Sequence, residues 1–258
     1  MAVSIHPTAV VSSSAHLSDG VRIGPFAVIE DGVSVGADSE IMAHSVLFKD
    51  SVIGSQCKVF PGAVIGADPQ DFAYKGQSTN VVIGDRTILR ECVTVNKASH
   101  VDTVVVGSDC LIMAYTHVAH DCVIGDHVVI ANAVQLGGHV HIGDWAVLGG
   151  VSKVHQFCKV GKHAMVAADA MITKDVPPFA LTGRQPVRIE GINRIGLSRR
   201  GFNAEEIRLL DEFYTVVFFS GKNMSDGLQA YEQTHEIPHA HVSDVIRFIR
   251  ESKRGVYR

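Results

Sequence analysis

The chain has 258 residues, 46% of them hydrophobic and 19% charged, enough for one large or two modest globular domains with a real core. A formal net charge of −4 excludes general nucleic-acid binding, which needs a basic footprint, and no apolar run approaches the roughly 18 residues that an integral membrane span requires. The opening MAVSIHPTAVV lacks the basic start and long apolar stretch of a signal peptide, and five scattered cysteines without a CxxC pair (Cys57, Cys92, Cys110, Cys122, Cys158) read as buried thiols in a reducing compartment, so the expected location is the cytoplasm.

From the N-terminus the chain carries a repeat of six. Stepping by six from Ile5 through Val11, Leu17 and Ile23 to Ile65, every position is a large aliphatic residue, eleven in succession. The pattern resumes at Ile83, Leu89 and Val95, restarts at Val106 and continues for twelve positions to Ile172. Neither the helical period of 3.6 nor the strand period of 2.0 accounts for it. Each hexad reads as a short strand and a corner, the aliphatic residue pointing inward. Glycine often follows it, as at Gly36, Gly54, Gly107 and Gly161, where a corner needs positive φ or close approach. Three hexads close one coil, and coils stack at about 4.8 Å between neighbouring strands. The predicted fold is mainly β: a left-handed parallel β-helix of hexapeptide repeats over residues 1–186, with a continuous inner core.

Two segments interrupt the repeat. Residues 67–82 are polar, hold Gly and Pro, and preserve the phase; residues 97–103 shift it by five. Both are predicted to be loops leaving the coils, where function tends to sit. Pro177 and Pro178 stop the strand pattern. Residues 187–258 are expected to form an α-helical domain over the open strand edges of the last coil. Asn203 caps NAEEIRLLDEFYTVVFF with Glu206 completing a capping box, further helices follow after Met224 and from Ser243, and Gly255 ends the last.

Because three hexads make a coil, position i becomes the vertical neighbour of i+18. His120, Gly138 and Gln156 therefore stack on one face, His139 and His155 lie beside them, and His117 sits three positions before His120. A neutral imidazole takes a proton from a hydroxyl attacking a carbonyl, and a backbone N–H at a glycine stabilises the oxyanion that results. Asp121 is a candidate to orient a neighbour, although adjacent strand residues point to opposite sides. The stack by itself is no metal-ligand set. Arg199 and Arg200, with Arg184, Arg188 and Arg194 nearby, suit phosphates, and the basic end (Arg247, Arg250, Lys253, Arg254, Arg258) suits an acidic protein partner.

The hexads together with QDFAYKG, HVAHDCVIG, GGHVHIGDWAVLGG, VHQFCKVG, DVPPF and RRGF resemble the bacterial UDP-N-acetylglucosamine O-acyltransferases of lipid A synthesis over nearly the whole chain. The resemblance implies a homotrimer with active sites between neighbouring β-helices, and transfer of a 3-hydroxyacyl chain from acyl carrier protein to the sugar 3-position. It implies no cofactor or metal, the carrier thioester being the donor. Carried over by position, His120 is the general base and Gly138 the oxyanion donor. Asp71, His117, His139, His155 and Gln156 contact substrate, Asn193 and Arg200 face the nucleotide, and Ala168 limits acyl length. Three positions depart from the family: Ala73 stands where many members have Lys, NKAS (Asn96 to Ser99) replaces a basic-Gly-Thr run, and Ile195 replaces a common Glu. Members without that lysine include ones acting on a 3-amino sugar, so N-acyl transfer is the alternative chemistry; a repeat that starts at Ile5 is expected to count against the related N-acyltransferase with its extra N-terminal domain. A metal-dependent hydratase of the γ-carbonic anhydrase type and a non-catalytic scaffold stand further off.

Overall fold

The structure, a computed structural model, describes residues 2–183, 185–235 and 239–258. Arg184, expected near the phosphate-facing arginines, lies outside the described residues. Two-residue strands recur every six positions, beginning with Ser4–Ile5, Val10–Val11 and His16–Leu17. They sort into three sheets of 11, 9 and 8 strands, which form the faces of a triangular prism. In each sheet a strand pairs with the equivalent strand one coil later: Ser4 is in register with Arg22 and Ile5 with Ile23.

The hexad aliphatics point inward and fill the prism. Ile41, Leu47, Ile53, Ile65, Leu89 and Ile112 are at most 1% exposed, and burying one such side chain is worth roughly 1.5–3 kcal/mol. The first coil has no neighbour below it, and Ile5 there is 46% exposed. Four of the five cysteines are buried, but Cys92 is exposed, because it takes a left-handed corner position (φ 56°) that turns its side chain outward.

The glycines after the inward residues do a different job from the one the sequence suggests. The left-handed corner residue lies two places further on and is rarely glycine: Asp38, Gln56, Asp109, Trp145 and His163 all have φ between 57° and 62°. Gly36 and Gly161 are required by close approach instead, since a Cβ there would lie 2.6 Å from the Gly54 carbonyl carbon and 2.3 Å from the Pro178 nitrogen.

Both interruptions leave from the same prism edge, where the second sheet passes to the third. Across the first, Lys58 pairs with Ile88; across the second, Thr94 pairs with His117. Each step is longer than the regular one from Ser4 to Arg22. Strands Val64–Ala67 and Asn80–Ile83 extend into the predicted loop, which is therefore residues 68–79. The second loop is 97–102, because Thr103 opens the next strand.

Past residue 186 the chain is not yet helical. Strand Ala180–Thr182 pairs with the first sheet through Met165 and Leu181, and Ile189–Ile192 returns antiparallel to it. Among the described residues four helices follow: α1 (Arg194–Arg199), α2 (Ala204–Phe218), α3 (Met224–Thr234) and α4 (Ala240–Glu251). The Asn203–Glu206 capping box starts α2, whereas α4 begins before Ser243, at a cap formed by the His239 side chain. Buried Tyr214 donates to the Pro178 carbonyl, and Lys162 pairs with Asp244 at 2.5 Å. Beyond α4 the Gly255 carbonyl accepts from the Asp175 N–H at 2.8 Å, so the chain end is tied to the last coil. We expect Leu47→Ala to lower the unfolding free energy by about 2–5 kcal/mol and Phe26→Ala, on an exposed corner, by about 1 kcal/mol or less. Urea unfolding of both checks this; equal losses would contradict the inward and outward assignment.

Candidate active site

The edge from which both loops leave gathers the polar chemistry of the molecule. Val118 anchors its hexad in the core, and the chain then turns through His120 and Asp121. Asp121 is left-handed (φ 59°). That backbone defeats the alternation of an extended strand and brings its carboxylate onto the side of the preceding imidazole: His120 Nδ1 lies 2.7 Å from Asp121 Oδ2.

The carboxylate is itself fixed from outside the coil. Asp121 Oδ1 accepts the backbone N–H groups of Ser99 (2.9 Å), His100 (2.9 Å) and Val101 (3.1 Å), all from the second loop. The side chain is wholly buried. Burial alone would raise its pKa, but the hydrogen bonds from His120 and from the three amides outweigh it and hold the carboxyl well below the usual range. An ionised acceptor facing Nδ1 selects the Nδ1–H tautomer of His120 and leaves Nε2 with a free lone pair.

Gly138 packs against that ring. A Cβ there would lie 2.5 Å from His120 Cε1 and 2.6 Å from Nε2, so only glycine leaves room. The coil-to-coil rungs on either side run from the Gly137 N–H to the Val154 carbonyl (2.9 Å) and from the His139 N–H to the His120 carbonyl (3.0 Å), with the Gly138 N–H between them. His139 stacks on Phe157 at 4.5 Å and meets His120 edge-on at 5.4 Å. Burial depresses the His139 pKa, and it depresses that of His117 too, with the neighbouring His120 adding to the effect. His117 Nδ1 shares a 2.7 Å hydrogen bond with the Thr94 hydroxyl. Asp71, from the first loop, accepts from the Ala73 N–H (2.9 Å) and the Ser99 hydroxyl (2.8 Å), which lower its pKa. Half-buried His155 accepts from Arg254 at 3.1 Å, and Gln156 beside it is exposed.

Asp71, His117, His120, Gly138, His139, His155 and Gln156 thus share one edge. Four predicted residues do not. Ala168 is exposed on the edge between the first and second sheets. Asn193, Arg199 and Arg200 line a cavity of about 650 Å³ against the first sheet with Val147, Met165 and Leu181. The Asn193 side chain accepts from the Gly196 N–H (3.1 Å) and donates to the His163 carbonyl (3.0 Å). Arg200 lies over Trp145 (5.3 Å) and faces His163 Nδ1 at 3.3 Å; burial first, then this guanidinium, bring the His163 pKa down to about 4.

One residue of the edge escaped the sequence reading. His100 Nδ1 lies 3.1 Å from Asp121 Oδ2, and His100, His120, Asp121 and His139 offer ligand atoms within 4.8 Å of one another. The phase shift at 97–103 was the signal that a loop carries it. Among the described residues these four, not the Gly138–Gln156 stack, are the group able to hold a metal ion.

Known proteins share this architecture. Residues 175–257 match the family model for domain 2 of UDP-N-acetylglucosamine O-acyltransferase, and residues 14–49 and 103–138 match the bacterial transferase hexapeptide repeat. The acyl-[acyl-carrier-protein]--UDP-N-acetylglucosamine O-acyltransferase of Thiobacillus denitrificans is 41% identical over 257 residues, 99% of each chain. That of Xanthomonas axonopodis pv. citri is 42% identical over 98% of this chain and 97% of its own. The solved UDP-N-acetylglucosamine acyltransferase of Francisella novicida superposes with a TM-score of 0.94 at 39% identity, covering 98% of this chain and 94% of that one. The Bacteroides fragilis enzyme gives 0.95 at 37%, covering 98% and 99%.

Because the Asp121 carboxyl is acidified by folding, its contribution to stability is fully present above its unfolded pKa, near 3.9, and is lost as pH falls through its lowered folded value. Acid unfolding monitored by circular dichroism should show a shallower pH dependence in Asp121→Asn than in the parent. In nitrogen-15 histidine spectra at neutral pH, His120 should carry its proton on Nδ1; an Nε2–H signal would refute the pairing described above.

Proposed function

The chain belongs to the family of acyl-[acyl-carrier-protein]--UDP-N-acetylglucosamine O-acyltransferases, hexapeptide-repeat enzymes of lipid A biosynthesis, and on that premise we propose how its own residues carry the transfer. His120 Nε2 takes the proton from the 3-hydroxyl of the sugar as that oxygen attacks the carbonyl carbon of the 3-hydroxyacyl thioester. The oxyanion of the tetrahedral intermediate is received by the Gly138 N–H. Collapse expels the thiolate of the acyl carrier protein, which takes the proton back from His120 Nε2. Asp121, ionised and buried, holds the imidazole in register and stabilises its transient positive charge. The carrier thioester supplies the activation, so the reaction draws on no resident cofactor. The single observation that supports this reading is the His120–Asp121 pair set directly over Gly138, at 2.7 Å and with no room for a Cβ.

Asp71, His117, His139, His155 and Gln156 surround this pair and are the acceptor and donor contacts. Ala168 lies on another edge of the prism, and Asn193, Arg199 and Arg200 line a cavity against its first sheet, which supports a closed homotrimer in which the His120 edge of one copy faces the first-sheet cavity of the next. No helix among the described residues is long and apolar enough to cross a membrane, and we assign the enzyme to the cytoplasm, with acyl carrier protein as its partner. Of the basic C-terminal residues, Arg247 and Arg250 are paired with Asp244 and Glu232, while Arg254 stands at His155, where a carrier delivering acyl chain to this edge would pass.

One observation favours a second acceptor. Ala73 brings no ammonium to the first loop, and Lys75 donates to the Phe72 carbonyl at 2.7 Å within the loop itself. A 3-amino sugar, giving an amide, then remains a competing substrate. Mass-spectrometric assays with 3-hydroxyacyl carrier proteins and both acceptors decide between them. We expect ester product, reduced about 10²–10⁴-fold by His120→Ala and about 10²–10³-fold by Gly138→Ala. Product from the amino sugar alone would reassign the acceptor; unchanged turnover in His120→Ala would leave a scaffold role.

A further inference from the structure

We propose that His100, His120, His139 and Asp121 form a binding site for a zinc-class divalent ion, and that its occupation switches acyl transfer off. Three imidazole nitrogens converge on one carboxylate oxygen: His120 Nδ1 at 2.7 Å, His100 Nδ1 at 3.1 Å and His139 Nε2 at 3.3 Å from Asp121 Oδ2. All four ligand atoms lie within 4.8 Å of one another. Tetrahedral zinc with bonds of about 2.0–2.1 Å separates its ligands by about 3.3 Å. Side-chain movements that close separations of up to 4.8 Å by as much as about 1.5 Å, and open the His120–Asp121 pair slightly, would convert this cluster into a coordination sphere.

Three nitrogens and one oxygen suit zinc, cobalt or copper and do not suit magnesium or calcium, which demand oxygen ligands. The surroundings are built as metal sites are. Three loop amides fix the far oxygen of Asp121, and the Phe157 ring fixes the plane of His139. Asp121 is wholly buried and the His120 and His139 side chains are 15% and 22% exposed, while His100, at 49%, leaves the ion open to solvent on one side. His100 completes the set, and it reaches the edge only because the second loop lengthens its coil.

The switch follows from tautomer chemistry and rests on His120 acting as the base; the binding itself does not. A metal on His120 Nδ1 takes the lone pair of that nitrogen, so the single proton of the neutral ring moves to Nε2. That nitrogen then has no lone pair for the sugar hydroxyl. The metal also takes up the Asp121 charge that would stabilise an imidazolium.

The test uses the full chain, stripped with a chelator and then titrated with zinc chloride against a chromophoric chelator, with retained metal counted by mass spectrometry after gel filtration. We expect one zinc per chain, and an affinity lowered at least about ten-fold in His100→Gln and in His139→Gln but unchanged in His16→Gln, outside the cluster. Cobalt in place of zinc should give the intense visible absorption of a tetrahedral site, lost in His100→Gln. Transfer by the stripped enzyme should fall in proportion to zinc bound and return with EDTA. Zinc that is not retained, or is retained equally by both cluster variants, overturns the site. Stoichiometric zinc with undiminished transfer overturns the switch. A stripped enzyme without any transfer activity would count against the catalytic reading, and the binding titration would still decide the site.

Discussion

Backbone hydrogen bonds between successive coils govern the rest of this molecule. They hold each residue directly over the one a coil later, as Ser4 over Arg22, so side chains far apart in sequence become neighbours at one strand spacing. The aliphatic residue of each hexad makes that ladder stable by keeping its inner side dry. Once the register is set, the outer surface is a fixed grid. His139 can lie over His120 and Phe157 over His139 only because the ladder runs His139 N–H to His120 and Phe157 N–H to Gly138.

Onto that grid the two loops add what regular coils cannot. A regular coil turns its aliphatic residues inward and its charged residues outward; it does not bury a carboxylate. The second loop does so by closing three amides over Asp121, and the first brings Asp71 onto Ser99 of the second. The His120 imidazole is thus oriented by a group whose own position depends on residues outside the hexads. The left-handed φ of Asp121, which recurs at corner after corner of the prism, is put to chemical use at this one.

Much of this was legible in the sequence. The hexad phase gave the coils, because one buried aliphatic residue in six is a burial pattern and burial is what the fold demands. The same phase gave both excursions and, through the spacing of His120, Gly138 and Gln156, the face that carries the site. The failures are equally physical. The strand Ile189–Ile192 has a partner chosen by tertiary contact and no period of its own. His120 and Asp121 were expected to diverge because alternation holds only for extended backbone. His100 was overlooked because its partner, Asp121, is distant in the chain and its placement depends on loop amides that no pattern encodes. Asn193 also caps α1, a role that the hexad spacing does not mark.

The register also sets how costly it is to ornament the coils. Joining Lys58 to Ile88 closes a wider span of chain than joining Ser4 to Arg22. For a flexible chain the entropy of closure rises only with the logarithm of length, so the longer span costs about half a kcal/mol more. Each neighbouring coil zips against its predecessor regardless of what hangs from an edge. A solenoid of this kind can therefore lengthen, shorten or exchange its edge loops with almost no penalty in folding, whereas a single insertion inside a hexad would throw every later aliphatic residue out of the core. Variation in such a chain is channelled to the corners, where the candidate site lies.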